Sequence, residues 1–144
     1  MAFTLQYVPV LDGGCPRTVT GYAKEYISGG AFVMCSGAAG VVNVSGLSSL
    51  ATTDIQFAIA SGAQFNGIAT HAAASGAPIT VASAGMFIVG CEVAVTAGYP
   101  VLANGANGVA PYTLALGSVG NHPIGRSWTS AGSEGYCAVT IGQV

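Results

Sequence analysis

Apolar residues in this chain recur at every second position, in runs too short for anything but strands, and small-residue turns close each run. Asp54-Ile55-Gln56-Phe57-Ala58-Ile59 places Ile55, Phe57 and Ile59 on one face and Asp54 and Gln56 on the other. That is the period of a half-buried strand, not of a helix. Phe87, Val89, Cys91, Val93 and Val95 repeat the pattern with Glu92 turned outward, and Cys137, Val139 and Ile141 alternate with Tyr136, Ala138 and Thr140. Near the start, Phe3, Leu5 and Tyr7 alternate with Thr4 and Gln6. Between the runs stand Asp12-Gly13-Gly14, Ser28-Gly29-Gly30, Ser36-Gly37, Ser61-Gly62, Ser75-Gly76, Ala97-Gly98, Asn104-Gly105, Asn107-Gly108 and Ser130-Ala131-Gly132, where glycine supplies the positive φ of tight reversals. Ala51, Ala60 and Ala72-Ala73-Ala74 sit beside Gly, Ser or Thr without a continuing apolar stripe, which limits helix to a turn or two.

These observations predict one all-β domain over residues 1–144, a small compact β-barrel with hairpin arms and little helix. Its core is expected to include Ile55, Phe57, Ile59, Val81, Phe87, Val89, Val93, Val139 and Ile141. A weak internal repeat points the same way. Asn66-Gly67-Ile68-Ala69-Thr70, Ala74-Ser75-Gly76 and Ile79-Thr80-Val81 resemble Ile124-Gly125-Arg126-Ser127, Ala131-Gly132 and Val139-Thr140-Ile141. Both read as strand, small-residue turn, strand, and closing a barrel removes exposed strand edges. No linker or composition break divides the chain. Residues 1–10 read equally as a first strand of the sheet or as an N-terminal arm that adds to a neighbour.

Charge narrows the function. Three Lys or Arg and five Asp or Glu make up 6% of 144 residues, where a soluble surface usually carries about 25–35%, so the chain is expected to be covered by partners in an assembly. The stretch between Asp54 and Glu92 has no Asp, Glu, Lys or Arg. Gln56, Gln64, Asn66, His71, Pro78 and several glycines nevertheless interrupt the ~20 apolar residues that a spanning helix needs, so no membrane partner is expected. The opening Met-Ala-Phe-Thr-Leu-Gln-Tyr lacks the basic start and apolar core of a secretory signal and reads as an intracellular product. A net charge of −2 without a basic stripe argues against nucleic acid.

Cys15, Cys35, Cys91 and Cys137 are far apart in a chain too large for the disulfide-dense class. Cys35, Cys91 and Cys137 lie in apolar runs, where a thiol behaves as a small hydrophobe, and are expected to be buried and free. The residues give no enzyme signature. His71 and His122 belong to no local motif, and Cys and His spacing offers neither C-x-x-C nor a paired-His zinc pattern. There is no phosphate-cradling Gly-x-x-x-x-Gly-Lys loop and no Gly-x-Ser-x-Gly elbow. Asn43-Val44-Ser45 is a sequon only in form, and Asp12-Gly13-Gly14-Cys15-Pro16 reads as a turn rather than a metal site. The expectation is a protein that is not an enzyme and uses no cofactor or metal.

From Asn66 onward, the order Gly67-Ile68-Ala69, Gly76-Ala77-Pro78-Ile79-Thr80-Val81, Gly85, Ala94-Val95-Thr96-Ala97-Gly98-Tyr99-Pro100-Val101 and Ile124-Gly125-Arg126 resembles the capsid decoration, or cement, proteins of tailed bacteriophages and related viruses. The resemblance covers a little over half of the chain and rests on small-residue turn patterns. It implies a β-rich protein on the outer surface of an icosahedral head, made in the host cytoplasm. Its partners would be the major capsid protein and itself, as a homotrimer, and it would stabilise the capsid by bridging neighbouring capsomers. Few charges suit a subunit whose base and flanks are buried. The candidate capsid or subunit interface is Phe3, Leu5, Tyr7, Arg126 and Trp128. Trp128, the only Trp, reads both as an interface anchor and, with more weight, as a core residue. The competing readings are a tail or fibre structural component and an exported β-rich binding module.

Overall fold

The structure is a computed structural model and describes residues 5–10, 16–36, 55–61, 64–112 and 123–142. Nine strands form: β1 (Arg17–Ala23), β2 (Phe32–Cys35), β3 (Gln56–Ile59), β4 (Gly67–Ala69), β5 (Pro78–Cys91), β6 (Pro100–Ala103), β7 (Val109–Pro111), β8 (Gly125–Ser127) and β9 (Gly135–Ile141). Among the described residues there is no helix, and Ala72–Ala74 lie in a strand-to-strand corner.

Hydrogen-bonded neighbours run β1-β3-β2-β4-β5-β7-β6-β8-β9, with further pairings β1–β5 and β5–β9. The extra pairings close the sheet twice. Strands β1 to β4 and residues 78–84 of β5 form one ring; residues 85–91 of β5 and strands β6 to β9 form a second. The all-β prediction holds, and its single closed unit is resolved into two five-strand rings sharing one long strand. The handover falls between Ala84, paired with Arg17, and Gly85, paired with Ile141. Gly85 has φ 136, a value open to glycine.

The rings duplicate each other strand for strand. In ring 1, β1 pairs parallel with β3 through Ala23↔Phe57, and in ring 2, β5 pairs parallel with β7 through Cys91↔Val109. Val19↔Val81 in ring 1 corresponds to Phe87↔Val139 in ring 2. The internal repeat legible in the sequence is half of this duplication.

Two backbone devices recur. Four corners, residues 24–31, 70–77, 92–99 and 128–134, turn one strand into the next. Their central residues join in pairs, Ile27 with Ala73 and Val95 with Ala131, by reciprocal N–H···O bonds of 2.9 to 3.1 Å. Three residues after each centre stands a positive φ: Gly30 at 85°, Gly76 at 88°, Gly98 at 89° and Glu134 at 64°. Glycine is the natural occupant of such a position, and Glu134 is the exception. The second device is close strand approach. A Cβ at Gly67 would overlap Val81 and the carbonyl of Ala82, and one at Gly125 would overlap the carbonyl of Thr140; these glycines open β4 and β8, equivalent strands.

Alternation then builds two cores. The inward residues of ring 1, among them Ala23, Ile27, Val33, Phe57, Ile79 and Val81, form its interior. Its outward residues Phe32, Ile68 and Ala82 are just as buried, because they join the core of ring 2 with Phe87, Val89, Val101, Val139 and Ile141. Phe32 also meets Phe65 edge-on, with ring centroids 4.9 Å apart. Burying Phe32 and Ile68 supplies roughly 1.5–3 kcal/mol each, so the rings are welded face to face.

Three sequence expectations need correction. Val93 is 49% exposed: β5 ends at Cys91, the corner begins, and the alternation stops before burial resumes at Val95 through its bridge to Ala131. Cys35 is exposed, being the last residue of β2, beyond the core-lining Val33. Ile55 and Ile59 are half-buried at the margin of the ring 1 core rather than within it. Phe57, Val81, Phe87, Val89, Val139 and Ile141 are buried as predicted.

Candidate interface surfaces

Residues 5–10 lie along ring 2 of their own chain. Ile88 donates to the carbonyl of Val8 at 2.9 Å, Val10 donates to Met86 at 2.8 Å, and Pro9 bridges Phe87 in antiparallel sense. Tyr7 packs on Phe87 with centroids 5.6 Å apart, and burial pushes its phenol above the ordinary value. Leu5 packs against the ring 1 core. A side chain at Gly30 would overlap the backbone of Gln6, so the segment is held between a ring 1 corner and β5. Between them is a cavity of about 300 Å³ lined by Leu5, Gln6, Phe32, Ile88, Asn107 and Tyr136 among others. Phe3 lies outside the described residues.

Arg126 and Trp128 are brought together on the outer face of ring 2. In register, Pro100, Arg126 and Thr140 sit side by side on β6, β8 and β9. Trp128 follows β8, its backbone N–H bonded to Ala138 at 2.8 Å and its indole Nε1 donating to Thr140 Oγ1 at 3.1 Å. The weightier expectation for Trp128, a place in the core, is therefore corrected: it is 59% exposed. Strand β8 ends at Ser127, so the next residue swings out, with its indole bonded to the buried Thr140. Arg126 is exposed and donates to the carbonyl of Gly98 at 2.9 Å. Tyr99, on the adjoining corner, is 64% exposed. Sequence reading missed Tyr99, because its signal was only an aromatic after a turn glycine.

Chemical residues elsewhere are held structurally. His71 sits at a corner, Nδ1 2.9 Å from the Ala72 carbonyl and Nε2 accepting from Thr80 N–H at 3.2 Å. Cys91 and Cys137 are buried in ring 2. Cys91 Sγ lies 3.4 Å from the carbonyls of both Gly132 and Gly135. Burial pushes the Cys137 thiol up to about 12, and the neighbouring Cys91 raises it further within that value. Such thiols are poor nucleophiles and poor ligands. Among the described residues no group of three His, Cys, Asp or Glu is arranged to hold a metal, and no helix is long and apolar enough to cross a membrane. His122, Cys15 and Asp12 lie outside the described residues.

In fold the chain is similar to the crystal structure of the head fibre gp8.5 N base of bacteriophage phi29, with a TM-score of 0.58 and 12% identity, over 88% of this chain and 94% of that one. No family model matches the chain, and no curated protein matches it in sequence. The likeness is one of fold, and it spans nearly the whole of both chains.

Proposed function

We propose that this chain is a virion structural protein that sits on the outer surface of a viral head, binds the assembled shell and stabilises it by bridging neighbouring capsomers. Its partners would be the major capsid protein and two further copies of itself, in a homotrimer. The observation that carries the reading is the fold likeness over 88% of the chain to a protein described as the N base of a phage head fibre. The composition supports it: with 6% charged residues and Tyr99, Trp128 and Tyr136 each at least 49% exposed, the surface suits permanent apolar contact. In this role the protein has no catalytic task and takes no cofactor.

The test mixes purified protein with undecorated heads and counts bound copies. Saturation at a fixed number per head, with bound heads disrupting at a higher temperature than bare ones, is expected from mass action alone. Equal disruption temperatures would remove the stabilising role. The name of the phi29 protein favours one second reading, a base that carries a fibre. A reconstruction of the particle separates the two, since a base leaves density projecting away from the shell.

A further inference from the structure

The duplication exposes a docking face. Ring 1 meets ring 2 through the outward residues Phe32, Ile68 and Ala82, exposed by 1%, 2% and 0%. Their equivalents in ring 2, by strand and register, are Pro100, Arg126 and Thr140. Among the described residues, no third ring covers these. Of these, Arg126 is exposed, Pro100 half-buried and Thr140 buried, so the counterpart of the face that seals the junction inside the chain is turned outward in part.

A repeat face left without a neighbour is ordinarily polar. This face is polar only in part. It carries Arg126, with Trp128 at 59% and Tyr99 at 64% exposure beside it, the three residue types most enriched among interface anchors. The Trp128 indole is fixed by its bond to Thr140, so little side-chain freedom remains to be lost on docking. The guanidinium of Arg126 bonds the carbonyl of Gly98 and, among the described residues, meets no carboxylate, which leaves its charge for an incoming anion.

We propose that this ring 2 face, formed by Tyr99, Pro100, Arg126 and Trp128, is the surface by which the chain docks onto a carboxylate-bearing protein surface of the shell. A second copy is the less suitable occupant. Continuing the internal stack would offer Val19 and Gly21 of ring 1 where ring 2 offers Phe87 and Val89, with exposed Arg17 close by. That is a poorer apolar seat, and it brings a second cation toward Arg126.

The inference rests on the assembly reading above, and its test separates the two. Undecorated heads are titrated with wild-type chain and with Trp128→Ala, Arg126→Glu, Arg126→Gln and Tyr99→Ala. Tyr26→Ala, an aromatic of 61% exposure on ring 1, is the control, and circular dichroism checks that each variant folds. Trp128→Ala is expected to weaken binding by about thirtyfold or more, Arg126→Glu more than Arg126→Gln, Tyr99→Ala several-fold, and Tyr26→Ala not measurably. Wild-type binding that all four ring 2 variants retain overturns the docking face and leaves the assembly reading standing. Wild-type chain that does not bind heads removes both. Concentration-dependent self-association in sedimentation velocity, lost in Trp128→Ala and Arg126→Glu, would overturn the shell as occupant in favour of a second copy.

Discussion

Rings 1 and 2 share every strand pairing and differ in where they keep their bulk. Ring 1 places Phe57 on β3 and makes room for it with Gly21 on β1: a Cβ there would come within 2.6 Å of the Phe57 ring and 2.7 Å of the Ile55 carbonyl. Ring 2 has Val109 and Val89 at the same two positions. At the other end the balance reverses. Phe87 is buried under Tyr7 in ring 2, whereas its ring 1 equivalent, Val19, is 37% exposed and no described residue lies over it as Tyr7 lies over Phe87. Each ring thus holds one phenylalanine on β3 or β5, at opposite levels. Closure is dictated by backbone features repeated in both rings, the glycine approaches and the corners. The interior needs only the right total volume.

The strongest way to break the comparison is at the Phe87 and Val19 positions. Phe87→Ala should cost about 3–5 kcal/mol, because it empties the ring 2 core and leaves Tyr7 without its partner. Val19→Ala should stay within about 0.5 kcal/mol, as at an ordinary exposed site. Urea unfolding measures both. A large loss at Val19 would mean that ring 1 is covered there as ring 2 is, and the asymmetry would be false.

The second exchange makes ring 1 imitate ring 2. Gly21→Val alone overpacks against Phe57 and should cost at least ~1–3 kcal/mol. Adding Phe57→Val recreates the Val89 and Val109 pair and should recover part of that loss, with a coupling of ~0.5–3 kcal/mol. Recovery stays partial, since the Ile55 carbonyl is backbone and does not move with the side chain. Additive losses in urea unfolding would show that the two rings do not solve one packing problem.

How much of this was legible beforehand follows from range. The alternation at Phe57, Phe87 and Val139 fixed strands and inward faces, because burial at period two is a local pattern. The repeat was legible where its glycines were, since Gly67 and Gly125 answer the same steric demand from a neighbouring carbonyl. The first half of each ring escaped notice, as Gly21 with Phe57 and Val89 with Val109 share volume but not residue types. Val93 misled because a corner interrupts the strand without a glycine until Gly98. At the candidate interface, Arg126 and Trp128 were identified by type, but their meeting depends on the β6, β8 and β9 register, and Tyr99 joins them only through it.

The thiols sharpen the contrast further. Cys91 and Cys137 stand where ring 1 has Ala23 and Ile79, so among the described residues these two thiols lie in the core of ring 2 and at the same places ring 1 is apolar. Burial raises both thiols, Cys137 from 9.0 to about 12. The folded state then holds its proton more tightly than the unfolded chain, and this contribution is complete below pH 9 and lost as pH rises toward about 12. Stability should fall across that window, and less steeply in Cys137→Ala. Hydrogen exchange should show ring 2 amides losing protection before ring 1 amides. With thiol reagents, exposed Cys35 should react ahead of both buried thiols even though partial burial raises its own pKa. Equal rates at Cys35 and Cys137 would show that the ring 2 core opens freely.

The smallest effects test the corners, where the rings differ at one residue. Gly98 and Glu134 occupy equivalent positions with φ 89 and 64, and a Cβ at Gly98 would meet nothing within 4 Å. Gly98→Ala therefore isolates backbone strain from packing and should cost about 1–2 kcal/mol. Glu134→Gly runs the other way. It relieves the strain of a side chain at positive φ, while glycine loosens the unfolded chain by about 0.4–1 kcal/mol, so the net gain should be about 0.5 kcal/mol. Thermal melts of the two variants against wild type decide it. If Glu134→Gly melts lower, the carboxylate at that corner holds something that the three glycine corners do without, and the fourfold equivalence ends at the backbone.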